Sequence, residues 1–195
     1  MKTGDLIFSQ IGRAGNAISS VTEGYNGARV NHVGVVLETR YGTRVLEAYY
    51  PEVRITNIDV HVNRSKDHLG NPRYMLGRLN TEHHHLIPGA IEYGVKQREI
   101  PYDRLYLTDE SALYCSELIV DMFKSANNGT EFFAEKPMSF RDLETGEVLE
   151  QWKSYYAYFG MPVPEGEPGS NPGDVSVDEK IYIYDVIGDI SGYKP

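Results

Sequence analysis

At 195 residues the chain is long enough for one well-cored domain and short for two, so a single domain over residues 1–195 is expected. Its 41% apolar and 24% charged residues are those of an ordinary globular protein, and a net charge of −9 without any basic run argues against nucleic acid or an anionic membrane surface as partner. No stretch approaches the roughly 18 apolar residues that cross a bilayer, and a single cysteine excludes an internal disulfide and any multi-cysteine metal site.

Met1-Lys2-Thr3-Gly4-Asp5 leads almost at once into a strand pattern, Leu6-Ile7-Phe8, with no visible signal peptide. A removed signal would look the same, so the sequence leaves the compartment open, cytoplasmic or extracytoplasmic. Residues 12–29 are rich in Gly, Ser and Asn, with a weak helical signal from Ala14 to Val21. His32 to Leu37 is a β-branched strand, Arg40-Tyr41-Gly42-Thr43 its turn, and Arg44 to Tyr49 the returning strand of a hairpin. Val53 to Ile58 alternates with period two and reads as a half-buried strand; Tyr74 to Leu79 is another. Leu86 to Glu99 reads as a helix with Pro88 in its first turn and Ile87, Ile91 and Val95 on one face.

A second helix begins at Cys115. Leu118, Ile119, Met122, Phe123 and Ala126 form its buried stripe, and Asn127-Asn128-Gly129 stops it. An aromatic segment from Trp152 to Phe159, a Pro/Gly loop from Met161 to Asp174 and a last strand from Lys180 to Ile187 complete the chain. The expected class is α+β, an antiparallel sheet or small barrel packed against helices.

Cys115 carries the strongest chemical signal. A helix N-terminus offers partial positive charge and unpaired N–H groups, an environment that favours a nucleophilic thiolate. A free cysteine is also a common small core residue, and the pattern alone allows both. A thiol nucleophile needs a base and a group that orients the base. Of six histidines, His32 is the best placed, because it opens a buried strand ahead of the small Gly34. Glu47, on the adjacent hairpin strand between Leu46 and Ala48, is the candidate partner for its ring. A strand-capping His32 and a solvent-facing Glu47 are the competing readings.

The run His83-His84-His85 lacks a carboxylate or cysteine at ligand spacing and is read as a solvated helix entrance; no metal and no cofactor are expected. His61 and His68 lie in a polar stretch and are read as surface groups. Asx turns are the default for Asp5 and Asp103. Glu117 falls in the first turn of the cysteine helix, where the dipole favours a carboxylate and from where it can reach a cationic substrate group.

Several segments in order resemble a known family. Gly4 to Phe8, Asn31 to Val36 and Val45 to Ala48 are similar to the N-terminal half of the circularly permuted NlpC-type, papain-like hydrolases. Pro101-Tyr102-Asp103, Tyr114-Cys115-Ser116-Glu117-Leu118 and the late Pro162-Val163-Pro164…Pro172-Gly173-Asp174 resemble the second half of the YiiX/YebB-like branch. The blocks cover roughly Gly4 to Ile190, with the histidine and its polar partner ahead of the cysteine. The resemblance implies a permuted papain-like fold, with Cys115 as nucleophile, His32 as general base and acid, and Glu47 orienting the ring. It implies a thiol hydrolase that cleaves an amide, in cell-wall peptides among other substrates.

Tyr114, Glu117, Tyr49 and Asp103 are the candidate substrate contacts. The expected partner is a small peptide or acyl substrate, with an amine suggested by Glu117 and the acidic balance. Two rivals stand beside amide hydrolysis. One is acyl transfer or thioesterase chemistry on acyl lipids. The other is a catalytically silent binding module using a tyrosine-rich groove at Tyr49, Tyr50, Tyr102 and Tyr114. Oligomeric state is not readable.

Overall fold

The computed structural model describes residues 1–12, 16–108 and 111–195. In chain order the elements are β1 (Leu6–Ser9), α1 (Ala17–Val21), β2 (His32–Thr39), β3 (Gly42–Tyr49), β4 (Glu52–Asn57), α2 (Ile58–Arg64), β5 (Tyr74–Leu79), α3 (Ile87–Lys96), α4 (Cys115–Ala126), β6 (Lys136–Pro137), α5 (Glu150–Tyr158), β7 (Pro168–Gly169), α6 (Pro172–Ser176) and β8 (Ile181–Ile187). Six strands form one antiparallel sheet in the order β4-β3-β2-β1-β5-β8, and β6 and β7 make a separate small pair. The α+β expectation holds, as a six-stranded sheet packed against helices.

Alternation along the strands assigns the two faces. Leu6, Phe8, Val33, Val35, Leu46 and Ala48 face the main core, where they meet Leu118, Ile119, Met122 and Phe123 of α4. Ile7, Val36, Val45 and Leu76 form a smaller cluster with Ile58 on the opposite face. Two glycines permit the close packing. A Cβ on Gly34 would sit 2.5 Å from Val45 Cγ1, and one on Gly94 would sit 2.6 Å from Met122 Sδ and 2.8 Å from Leu46 Cδ2. Gly94 therefore lets α3 close onto α4 and the sheet. The C-terminus of α4 ends as expected, with Asn128 and Gly129 in left-handed backbone at φ 57° and 78°.

Three elements differ from the expectations. The weak helix starts at Ala17; Ala14 lies outside the described residues. The strand expected to end at Ile58 ends at Asn57, whose side chain accepts from Asp59 N at 2.9 Å and starts α2. The segment read as a polar stretch is thus partly a helix lying on the sheet. The Pro/Gly loop carries β7 and the start of α6, which Asn171 caps by accepting from Asp174 N at 2.8 Å. Ahead of this loop, α5 supplies Trp152 and Tyr156 to a second aromatic core with Phe140, apart from the main one.

Candidate active site

Cys115 is the first residue of α4, following Tyr114 in extended backbone at φ −95°, ψ 172°. Its amide is among the first-turn donors that a helix leaves without an internal acceptor. Glu117, three residues beyond Tyr114, turns back to accept from Tyr114 N at 3.2 Å and so fastens the helix start.

The register places the other components. His32 opens β2 opposite Ser9 of β1, and Glu47 lies on β3 opposite Arg54 of β4. By alternation His32, Gly34, Ser9 and Glu47 share the sheet face covered by α2, and the absent Gly34 side chain leaves room beside the Glu47 Cβ. His32, at the end of its strand, spans from this face to Cys115 on the helix side. His32 Nε2 donates to Glu47 Oε2 at 2.6 Å, and the ring is also hydrogen-bonded to Cys115. With Nε2 committed to the carboxylate, Nδ1 is the nitrogen left for the thiol. His32, Glu47 and Cys115 are all buried.

Glu47 is held by more than His32. His61 Nδ1 donates to the same Oε2 at 2.9 Å, and Arg64 pairs with Oε1. Ser9 Oγ donates to His61 Nε2 at 2.9 Å, which fixes the His61 tautomer. His61 was expected at the surface; it is instead fully buried, because Asn57 starts α2 and turns this residue onto the sheet. Its signal in the sequence was present but faint: His61 and Arg64 are three apart, on one face of a helix.

Electrostatics follow from this arrangement. Burial opposes a charge on the His32 ring, but the hydrogen bonds to Cys115 and Glu47 outweigh it and raise His32 to about 9. Burial would raise the Glu47 carboxyl, yet hydrogen bonds from His32 and His61 hold it far below the usual carboxylate range. Burial also lowers His61, and the nearby charges of His32 and Arg64 add to that effect, so its ring stays neutral. The site thus has one charged imidazole, one neutral imidazole and one carboxylate.

Of the candidate substrate contacts, Tyr49 and Tyr114 flank the site. The Tyr49 ring meets His32 edge-on at 5.5 Å and carries Arg64 over its face at 3.9 Å. The Tyr114 hydroxyl accepts from Ser170 N at 3.0 Å and lines the cleft at Cys115. Asp103 is buried and accepts from Leu105 N and Leu107 N, both at 2.7 Å, the turn role that its sequence context gave by default. Glu117 is buried as a helix cap and lines a depression whose walls exclude Cys115, so its carboxylate serves the helix rather than the cleft.

Two further aromatic residues stand around the cysteine: Tyr102, named above only for the binding-groove alternative, and Tyr106, which the sequence did not single out. Tyr102 and Tyr106 are hydrogen-bonded to each other, and burial keeps both hydroxyls protonated. Tyr106 adopts φ 55°, rare for an aromatic residue, which directs its ring against Tyr102, Tyr114 and Trp152. The histidine run lies in a 3₁₀ helix, Thr81–Leu86, that leads into α3; His84 and His85 each bond a backbone carbonyl and His83 stacks edge-on with Phe132.

Comparison with known proteins agrees with this architecture. A solved structure, described as that of the metalloprotein YiiX from Escherichia coli O157:H7, superposes with a TM-score of 0.73 at 21% identity, covering 95% of this chain and 97% of that one. At that identity the likeness concerns the fold. A search of curated protein sequences finds no match. A family model described as permuted papain-like amidase enzyme, YaeF/YiiX, C92 family, matches residues 1–181. The chain therefore belongs to the permuted papain-like amidases of the YaeF/YiiX group and is an enzyme of the cysteine amidase/peptidase type.

Proposed function

We propose that the protein hydrolyses an amide through a Cys115–His32–Glu47 triad and a thioester acyl-enzyme. The observation that carries this reading is the continuous hydrogen-bonded chain from a helix-N-terminal thiol through His32 to an ionised, buried Glu47. In the resting site the elevated pKa of His32 keeps a proton on its ring, ready for the leaving group. Cys115 Sγ attacks the carbonyl carbon, and the oxyanion is met by the Cys115 amide. His32 then gives its proton to the amine as the C–N bond breaks. Water, deprotonated by the same ring, attacks the thioester, and the thiol is released with the carboxylic acid. Glu47 keeps its charge throughout and stabilises the imidazolium.

His61, Arg64 and Ser9 act through Glu47: they fill its remaining acceptor sites and hold its oxygen against His32. The cell-wall peptide expected from the resemblance belongs to the same reaction class. Acyl transfer would use the same acyl-enzyme with an amine or alcohol in place of water. A silent binding module fits poorly, because it has no need for an imidazole bonded to both a thiol and a carboxylate.

The neighbour's description as a metalloprotein raises the question of a metal here. Among the described residues, His32, Glu47 and His61 are the one group whose ligand atoms lie close enough. They do not fit a resident cation. Both imidazoles point N–H groups at Glu47, and the Arg64 guanidinium already neutralises the carboxylate. No step is routed through a metal.

The decisive experiment is labelling of Cys115 by iodoacetamide together with turnover of an amide panel. Cys115→Ala is expected to keep the fold and lose activity by about 10⁶-fold, the scale for removing a triad nucleophile. Undiminished turnover in that variant would end the reading.

A further inference from the structure

The depression that opens at His32 is basic, although the chain as a whole carries a net charge of −9. It encloses about 590 Å³ including its mouth; Asn16, Asn31, Tyr49, Tyr50 and Tyr102 are on its walls, and no Asp or Glu is. Two of these tyrosines carry arginines. The guanidinium carbons of Arg64 and Arg54 lie 3.9 Å and 5.3 Å from the centre of the Tyr49 ring. That of Arg104 lies 5.9 Å from the Tyr50 ring and 5.2 Å from the Phe159 ring.

The arginines are not all spent on internal pairs. Arg64 is neutralised by Glu47, but Arg54 and Arg104 make no ion pair among the described residues. Arg54 Nη2 donates to the carbonyls of Tyr49 and Tyr50, which fastens the strand end behind the depression, and its Nε is buried without a partner. Arg104 is exposed, yet two aromatic rings hold its charge at the mouth. The carboxylates nearby offer little compensation. Glu47 is committed to His32, His61 and Arg64, Asp103 accepts from two backbone amides, and Glu52 stands opposite Tyr49 at the end of β4. The wall amides are used as well: Asn16 and Asn31 each accept from a backbone N–H and donate to Ile11 O.

The histidine protonates the leaving group, so the amine departs on this side. We propose that the arginine-rimmed depression receives an anionic leaving group, an amine that carries a carboxylate or phosphate a few bonds from its nitrogen. This rests on the cysteine-hydrolase reading above and names one half of its substrate. A concave site with charge of one sign focuses its field on whatever enters, so the local excess outweighs the distant net charge. Guanidinium groups match carboxylate and phosphate oxygens in shape as well as sign. A lysine-like cation would meet the arginines and the His32 imidazolium with no carboxylate on the wall to receive it. The bond changes are those of the hydrolysis: an S–C bond forms, the C–N bond breaks, the nitrogen takes the His32 proton, and the amine leaves with its anionic group intact while water later releases the acyl group.

The test holds the acyl group constant, at the one turned over fastest in the amide panel, and varies charge on anilines of similar basicity. The 3-aminobenzoate amide should exceed the 3-aminobenzamide amide in kcat/KM by about fivefold, and the 3-(aminomethyl)aniline amide should be slowest. A phosphoethanolamine amide should likewise exceed the ethanolamine amide, and the larger of the two ratios identifies the anion. Arg104→Glu should bring the benzoate/benzamide ratio to about one or below, and in the unmodified protein about 0.5 M salt should shrink it. A readout independent of turnover is protection of Cys115 from iodoacetamide, which 3-aminobenzoate should give at lower concentration than 3-aminobenzamide. Neutral or cationic leaving groups that match the anionic ones, a ratio unmoved in a folded Arg104→Glu protein, or equal protection by the two anilines would each overturn the anion assignment and leave the triad standing. Turnover that survives Cys115→Ala would instead overturn the triad itself, and the assignment with it.

Discussion

At the residue scale the site is organised around one carboxylate. Glu47 accepts from His32, His61 and Arg64, and these contacts decide which imidazole is charged. His32 at about 9 gives a directional pH prediction. Below that value the ring is protonated and can serve the leaving group; as pH rises through about 9 the proton is lost, so kcat/KM should fall on an alkaline limb near 9. Glu47→Gln removes the hydrogen-bonded charge that raises His32. It should move that limb to lower pH and reduce kcat by about 10²–10⁴-fold, the usual range for a general acid–base contribution. His61→Gln tests positioning: a moderate loss of kcat with a displaced alkaline limb and little change in KM is expected, whereas a purely structural role would lower thermal stability and leave the pH profile in place.

At the element scale, α4 and α2 do different work. The α4 stripe buries Leu118, Ile119, Met122 and Phe123, and Glu117 fixes its start, so the thiol sits at a rigid helix terminus rather than on a loop. Gly94 governs how closely α3 supports it. Gly94→Ala would place a methyl group within 2.6–2.9 Å of Met122 and Leu46 atoms. It should destabilise by about 1–3 kcal/mol, the usual cost of overpacking, measurable by denaturant midpoint. The α4 stripe and the hairpin were legible because their periods are strong and local. The α2 helix was not: its start depends on a single cap, Asn57, inside a run that reads as a continuing strand. With α2 missed, His61 looked like a surface residue.

At the scale of the whole molecule, the sheet separates the site into two supports. Cys115 comes from the helix face, and Glu47 with its partners from the face under α2; His32 at a strand end connects them. A second aromatic core completes the cleft from the far side. Trp152→Ala should cost about 3–5 kcal/mol locally, typical of removing a buried tryptophan. Hydrogen exchange should show lost protection around α5, α1 and residues 138–140 while the six-stranded sheet stays protected. Uniform loss of protection across the sheet would show that the two cores form one cooperative unit.

The sequence by itself nominated the chemistry from local evidence, a cysteine opening an amphipathic helix, a histidine opening a β-branched strand and a carboxylate on the neighbouring hairpin strand; these patterns left a core cysteine open, and the ordered resemblance to the permuted papain-like hydrolases chose between the two. A hairpin pairs nearby residues, so even the His32–Glu47 contact was within reach of the register. Contacts distant in sequence were decided only by the tertiary structure. The convergence of residues 32 and 115, the burial of His61 under a helix and the cleft that Phe140 and Trp152 wall beside Cys115 all depend on packing. Packing is set by the whole chain at once, and no local pattern of residues encodes it.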